Sequence, residues 1–308
     1  MIQNSGAVSQ QFLANLQLLQ QQMAQTQQQI SSGSKISQAS DAPNAVGDVL
    51  QLESDLGRVN QVTSNLNLVS GQVNSAESAL QTATTLLDQV SSLAAQGAGS
   101  TVSAASRATF SQQVGQILSS LVAASQTQFN GAYVFGGDQP TSPSYQVNLS
   151  NPNGVDRLVT TQSTALIQDA SGITFAASKT AQDIFDHRNS DDSLASDNIF
   201  SAVNSLRIAL ANNDTAGISA AISSIKTAQD YLSQQLAFYG GVQSQISNAQ
   251  DVAQKFQLQD QTALSGEKDT NIAEASVSLA QQQASYQAAI QAEATVPKTS
   301  LFSYLSGN

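Results

Sequence analysis

Apolar residues recur at alternating steps of three and four along both halves of this chain. The first such stripe consists of Phe12, Leu16, Leu19, Met23, Thr26 and Ile30. This spacing is a heptad seam, which predicts a helix that packs against another helix. Longer seams span 52–94 and 218–256, and shorter ones span 110–124, 200–210 and 272–289. Because every stripe needs a partner, helices from opposite ends of the sequence are expected to pack together.

Helix-breaking prolines and glycines lie between or at the ends of most of these seams. The prolines are at positions 43, 140, 143, 152 and 297, so two long stretches are free of proline and open to long helices. A helix over the seam at 52–94 alone would be about 68 Å long. A helix-to-helix turn is predicted at 97–103, and a break at 265–269. The pair Gly240-Gly241 weakens its helix without stopping it.

The period changes to two in the middle of the chain. Segments 133–135 and 145–149 flank Gly136-Gly137-Asp138, which predicts strand, turn, strand. Segment 151–154 is a further turn, while 158–161 and 172–175 are β-prone. The predicted fold is mainly α: an elongated helical coiled coil or bundle built from both chain ends, with a small β-rich insert in mid-chain.

Composition excludes several classes of function. The chain has no Cys and one His, so thiolate chemistry, disulfides and multi-histidine metal sites are excluded. A net charge of −11 argues against nucleic-acid binding. No apolar run is long enough for membrane insertion, and the start of the chain lacks the pattern of a cleaved secretory signal.

Charged residues are depleted at both ends. Residues 1–34 carry none, and the final 35 carry only Glu274, Glu293 and Lys298. Frayed, Gln-rich tails are one interpretation. We favour helices packed on neighbouring chains, because a simple tail would not keep a heptad stripe. The residues predicted to pack between subunits are Phe12, Leu16, Leu19, Met23, Ile30, Ile272, Leu279, Tyr286, Leu301, Phe302 and Tyr304.

Candidate chemistry is sparse. The acidic cluster consists of Asp183, Asp186, His187, Asp191 and Asp192. It could bind a hard cation, but it lacks the ligand spacing of an EF-hand. A solvated loop is favoured, with Asp197 or Ser196 as N-cap of the next helix. Asp41 and Asp48 are expected to be loop or cap carboxylates, and Gly136-Gly137 a hairpin turn rather than a phosphate cradle. No catalytic motif is found, so no enzyme activity, metal or cofactor is expected.

Three segments resemble the flagellin superfamily of bacterial flagellar axial proteins. Residues 30–43, Ile-Ser-Ser-Gly-Ser-Lys-Ile-Ser-Gln-Ala-Ser-Asp-Ala-Pro, are similar to its N-terminal signature, with Gly33, Lys35, Asp41 and Pro43 as the signature turn. Segment 86–131 is similar to paired helices that close on Phe129-Asn130-Gly131. Residues 271–283 are similar to its closing helix. Together these resemblances cover about 200 of the 308 residues.

Two branches of the superfamily compete. Pro43, the ending 300–305 and the segment 133–137 resemble the hook–filament junction proteins, the hook-associated protein 3 family. A short filament flagellin is the alternative. A secreted coiled-coil effector or translocator is the third hypothesis, from another class.

The resemblance implies a non-enzymatic structural subunit of the flagellum, active in motility. Residues 1–45 with 265–308 would form the inner polymerisation layer, 46–130 with 190–264 a rod bundle, and 131–189 the β-rich outer insert. Implied partners are further copies in a ring or tube, the other hook-associated junction protein, flagellin and a flagellar export chaperone. The implied location is extracellular, after type III export without a cleaved signal peptide.

Overall fold

The computed structural model describes residues 3–38, 40–162 and 166–295. Helices dominate this part of the chain, and short antiparallel strand pairs occupy its middle, which confirms the predicted mainly α fold with a small β insert. The helices are α1 (Gln3–Ser32), α2 (Pro43–Gly97), α3 (Ala104–Ser125), α4 (Ala181–Phe185), α5 (Ile199–Ala211), α6 (Thr215–Lys268) and α7 (Ile272–Thr295). The strands are β1 (Gln128–Phe129), β2 (Ala132–Tyr133), β3 (Tyr145–Val147), β4 (Val155–Arg157), β5 (Leu166–Gln168) and β6 (Thr174–Ala176).

The chain forms two compact units. The terminal unit comprises the residues up to Gly57 and from Gln257 onward, and the central unit comprises Arg58–Phe256. Helices α2 and α6 contribute residues to both units. The three-part division made from the sequence stays a prediction.

The hydrophobic core lies in the central unit. The stripe predicted on α2 is buried there, with Leu66, Leu80 and Leu87 fully inaccessible to solvent, and α6 contributes a matching stripe. Polar side chains bond along the flank of this helix pair: the Nε2 atoms of Gln229 and Gln250 donate to Asp88 and Asn67, each at 2.9 Å. Apolar seams with a polar flank therefore hold α2 and α6 antiparallel.

The predicted turn between α2 and α3 is confirmed, and a buried arginine closes it. Ser103 caps α3 by accepting a hydrogen bond from the Ser106 backbone N–H at 3.1 Å. The buried Arg107 guanidinium donates to the carbonyls of Gly97 (2.8 Å) and Gly99 (2.9 Å) at the end of α2. It also donates to Asn213 Oδ1 at 2.5 Å. One side chain thus satisfies helix-end carbonyls that would otherwise be unpaired.

The strands form three separate pairs, β1–β2, β3–β4 and β5–β6. The predicted pairing of 133–135 with 145–149 is wrong, because each strand pairs with its nearest neighbour across a shorter turn. Residues 136–137 form a turn but not a hairpin, since the two prolines that follow, 140 and 143, cannot donate to a ladder. Segment 158–161 is not a strand, whereas the β-prone segment 172–175 overlaps β6.

The β1–β2 hairpin explains the sequence Phe129-Asn130-Gly131. Asn130 (φ 52°) and Gly131 (φ 80°) both have positive φ, as a two-residue type I′ turn requires. The Phe129 ring lies against Gly71 of α2, where a Cβ atom would be 2.5 Å from the ring. Glycine at position 71 is therefore needed for this close approach.

The acidic cluster is only in part the solvated loop that was expected: Asp183, Asp191 and Asp192 are exposed, but Asp186 is not. Asp186 is fully buried and accepts hydrogen bonds from Asn153 Nδ2 (3.0 Å), Asn198 Nδ2 (2.8 Å) and Arg188 Nε (2.9 Å). Asp192 forms a bidentate pair with Arg157 at 2.8 and 2.7 Å. Buried amides and arginines compensate these charges, which the spacing of the acidic residues alone did not reveal.

The other members of this cluster also have structural partners. Asp183 forms a capping box with Thr180 at the start of α4, and Asp191 accepts from Ser193. His187 Nδ1 lies 2.7 Å from Asp197 Oδ1. In the described part of the chain, no three His, Asp or Glu side chains are grouped so as to hold a metal ion.

Three local predictions need correction. The N-cap of α5 is Asn198 rather than Asp197 or Ser196, because its side chain accepts from the Ser201 backbone N–H. Asp48 lies within α2 rather than in a loop or cap, since α2 already begins at Pro43. The break expected at 265–269 falls later, as α6 continues to Lys268. No helix of the described residues is both long and apolar enough to cross a membrane.

Candidate assembly surface on the terminal helices

Helices α1 and α7 pack on each other in the terminal unit. The predicted stripe of α1 is its least exposed side: Thr26 is buried, and the other five positions are half-buried. On α7, Ala275 is buried and Leu279 and Tyr286 are half-buried. Gln20 Nε2 donates to the Tyr286 hydroxyl at 2.7 Å between the two helices. The heptad stripes of α1 and α7 are therefore already used for packing of these two helices within one chain.

The outward sides of the same helices keep large apolar residues. Leu13 is 58% exposed, Leu18 is 54% exposed and Val277 is 68% exposed. These residues lie off the predicted stripes, and periodicity alone missed them. The signal that could have found them was an off-stripe aliphatic residue on a helix with almost no charge.

The terminal unit has almost no core of its own. Among its described residues, only Thr26, Val49 and Ala275 are buried, in contrast to the extensive core of the central unit. A surface with exposed leucines and few charges is typical of an interface that is covered in an assembly. The terminal unit is thus the candidate assembly surface.

The signature turn connects the two ends of this unit. Gly33 ends α1 in the left-handed region (φ +70°), where glycine is favoured. The Lys35 backbone N–H donates to the Lys268 carbonyl at 2.7 Å, and the Thr270 N–H donates to the Gly33 carbonyl at 2.9 Å. Lys35 Nζ donates to the Gly266 carbonyl at 3.0 Å, so its charge lies at the C-terminal end of α6.

Asp41 and Pro43 shape the rest of the turn. Asp41 Oδ2 accepts from the Ser37 hydroxyl (2.8 Å) and from the backbone N–H groups of Ser37 (2.9 Å) and Gln38 (2.8 Å). The hydrogen bond from the Ser37 side chain, followed by the two backbone bonds, lowers the pKa of Asp41. Pro43 is the first residue of α2, a position where its missing N–H costs nothing.

The remaining predicted packing residues are placed as follows. Ile272 begins α7 and is exposed, and Phe12, Leu16, Leu19, Met23 and Ile30 lie on the half-buried stripe of α1. Leu301, Phe302 and Tyr304 lie outside the described residues. A role for all of these residues in contacts between subunits stays a prediction.

Comparisons with known proteins agree with the helical fold and with the resemblance seen in the sequence. Residues 4–139 match the family model of the bacterial flagellin N-terminal helical region, which confirms the resemblance seen in the sequence. No curated protein sequence matches the chain significantly.

Solved structures show the same fold at low sequence identity. A Vibrio parahaemolyticus protein assigned as a flagellar hook-associated protein is 17% identical, with a TM-score of 0.64 over 74% of this chain and 100% of that one. Flagellar hook associated protein-3 of Legionella pneumophila is 12% identical, with a TM-score of 0.60 over 71% and 98%. FlgL of Xanthomonas campestris is 15% identical, with a TM-score of 0.58 over 70% and 99%.

Proposed function

Because the chain carries the N-terminal helical region of bacterial flagellins and has the fold of flagellar hook-associated proteins, we propose that it is a structural subunit of the bacterial flagellum that joins the hook to the filament. It acts by self-association in a ring or tube, with no enzymatic step. Its partners are the other hook-associated junction protein, flagellin and an export chaperone, and its location is outside the cell.

One observation carries this proposal: the described residues of the terminal unit include exposed leucines on nearly uncharged helices and form almost no core. Burying this surface against neighbouring copies would remove apolar area from water without desolvating charges. Phe12, Leu16, Leu19, Met23, Ile30, Ile272, Leu279 and Tyr286, with Leu301, Phe302 and Tyr304, are proposed to contribute to this inner layer.

The signature turn supports the same function in a different way. Gly33 and Lys35 tie the end of α1 to the connection between α6 and α7. Asp41 and Pro43 shape the connection from α1 to α2. The α1–α7 pair is therefore presented as one element to a neighbouring copy.

A gene deletion with labelling on intact cells tests the proposal. A strain without the gene should make hooks, carry no filaments and release flagellin monomers into the medium, and the complemented strain should show label only at the filament base. Label along the whole filament would instead identify a filament flagellin, which the match to the flagellin N-terminal region keeps as the second candidate. Normal filaments on the deletion strain would refute both.

A further inference from the structure

Asparagine followed by glycine is the dipeptide in which a side-chain amide is most easily lost, because glycine leaves the next backbone nitrogen unhindered. The chain contains two such pairs, Asn130-Gly131 and Asn153-Gly154. The first connects β1 to β2 and the second connects β3 to β4, and both glycines have positive φ, 80° and 78°. Because the dipeptide is the same, a difference in reactivity between the two pairs would come mainly from the fold.

The loss of the amide needs neither an enzyme nor a cofactor. The glycine backbone nitrogen loses its proton to solvent and attacks the asparagine Cγ atom. The bond from Cγ to the amide nitrogen breaks, ammonia leaves, and a succinimide ring remains. Water then opens the ring at either carbonyl and gives aspartate or isoaspartate, so that one water is consumed and nothing is oxidised or reduced. The reaction requires a free glycine N–H, a free side-chain amide and room for the backbone to rotate.

Asn130-Gly131 meets these requirements. Both residues are exposed. Neither the Asn130 side chain nor the Gly131 backbone N–H forms a hydrogen bond with the described part of the chain. A Cβ atom at Gly131 would meet nothing within 4 Å. The attacking nitrogen is therefore open to solvent, and the backbone around it has space to rotate.

The hairpin around Asn130 can also open locally. The Gly131 nitrogen reaches Cγ of Asn130 only when the Asn130 backbone leaves the tight turn. Strands β1 and β2 pair through only two residues each. A strand pair this short is marginally stable on its own, and local opening needs far less free energy than global unfolding. The reactive conformation is therefore accessible while the rest of the chain stays folded.

Asn153-Gly154 fails the same requirements. Both residues are buried. Asn153 Nδ2 donates to the buried carboxylate of Asp186 at 3.0 Å, and the Gly154 N–H donates to the Asn151 carbonyl at 3.0 Å. A Cβ atom at Gly154 would lie 2.6 Å from the Leu118 side chain, so this backbone cannot rotate without moving the core.

We propose that Asn130 is a site of spontaneous deamidation in the folded protein, whereas Asn153 is protected by the fold. The product places a new carboxylate on an exposed turn of a chain whose net charge is already −11. Isoaspartate also adds a methylene group to the main chain, which a two-residue turn accommodates only by disturbing the β1–β2 register. The neighbouring Phe129 ring, which lies against Gly71, is then loosened.

Peptide mapping by mass spectrometry of the full folded chain, incubated at mildly alkaline pH, tests the proposal. A protease that cleaves after aromatic residues separates the two sites at Tyr133 and Tyr145. The peptide with Asn130 should gain the mass difference between an amide and a carboxyl group. It should do so at least about tenfold faster than the peptide with Asn153, because the second site must first break its hydrogen bonds. In urea the two rates should become similar.

Two outcomes of the mapping would overturn the proposal. The first is an unmodified Asn130 in the folded chain, whether or not it reacts in urea, because the hairpin would then be protective. The second is an equal rate at Asn130 and Asn153 in the folded chain, because the fold would then not select between them. The variant Asn130→Gln is the matched control, since its longer side chain forms the ring far less readily, and its peptide should stay unmodified.

Thermal unfolding of the same samples gives a second readout. Aged wild-type protein should have a lower midpoint than fresh protein, because isoaspartate disturbs the turn, whereas aged and fresh Asn130→Gln should have equal midpoints. Fresh Asn130→Asp, which mimics the aspartate product, should unfold close to fresh wild-type protein, since aspartate also tolerates a positive φ. Equal midpoints of fresh wild-type protein and of aged protein that contains isoaspartate would overturn the predicted loosening of the Phe129 contact.

Discussion

The exposed leucines of α1 should matter for assembly and not for the stability of the single chain. The test is the double variant Leu13→Gln/Leu18→Gln, which keeps side-chain length, helix propensity and charge nearly constant. Both side chains are more than half exposed, so little buried contact is lost in the unassembled protein. The two effects can therefore be measured separately.

The expected magnitude follows from the exposed fractions. Full burial of a leucine side chain is worth about 1.5–3 kcal/mol. With 58% and 54% still exposed, assembly could bury about half of that for each residue, or about 2–3 kcal/mol together. This corresponds to an association constant about 30- to 200-fold weaker.

Two assays on the same samples check this expectation. Circular dichroism at 222 nm during heating of the dilute protein should give the wild-type midpoint. Sedimentation over a concentration series should show association shifted to higher concentration. Leu149→Gln is the matched control, because this exposed leucine lies in the central unit. Association at the wild-type concentration, or a large drop in the midpoint, would show that these leucines do not form the assembly surface.

Three further predictions concern stability. Arg107→Ala should lower the free energy of unfolding by about 1–3 kcal/mol in urea titrations, because it leaves the carbonyls of Gly97 and Gly99 without their donor; a loss below about 0.5 kcal/mol would contradict that role. Gly71→Ala should cost about 1–3 kcal/mol by displacing the Phe129 ring, and wild-type stability would exclude the close contact. Folding lowers the pKa of Asp41. The ionised carboxylate therefore stabilises the folded state at pH values above the usual carboxyl pKa, and this stabilisation is lost as the pH falls through the folded pKa. Wild-type protein should therefore lose more stability on acidification than Asp41→Asn does; equal losses would refute this.

The helices could be predicted from sequence because their signal is long. Stripes repeated over many heptads, together with the proline-free stretches, identified α2 and α6 and the turn that begins after Gly97. The strands have only two or three residues each, so their pairing depends on turn geometry rather than on period.

The candidate site was predictable only in part. The seams correctly marked the sides of α1 and α7 that face each other, but an apolar stripe cannot tell a partner in the same chain from a partner in another. Leu13 and Leu18 therefore emerged only from their exposure in the fold. The burial of Asp186 could not be foreseen either, because its amide partners lie 33 and 12 positions away.

The scarcity of buried residues in the terminal unit has a consequence for how growth begins. Holding each residue in one backbone conformation costs about 1–2 kcal/mol, and only Thr26, Val49 and Ala275 are buried to offset this cost among the described residues of the unit. When two free copies associate, each would have to offset most of this conformational cost with a single new contact. A copy arriving at an existing end meets several neighbours at once. If the chain self-associates as proposed, it should therefore nucleate slowly in solution and elongate readily on a template.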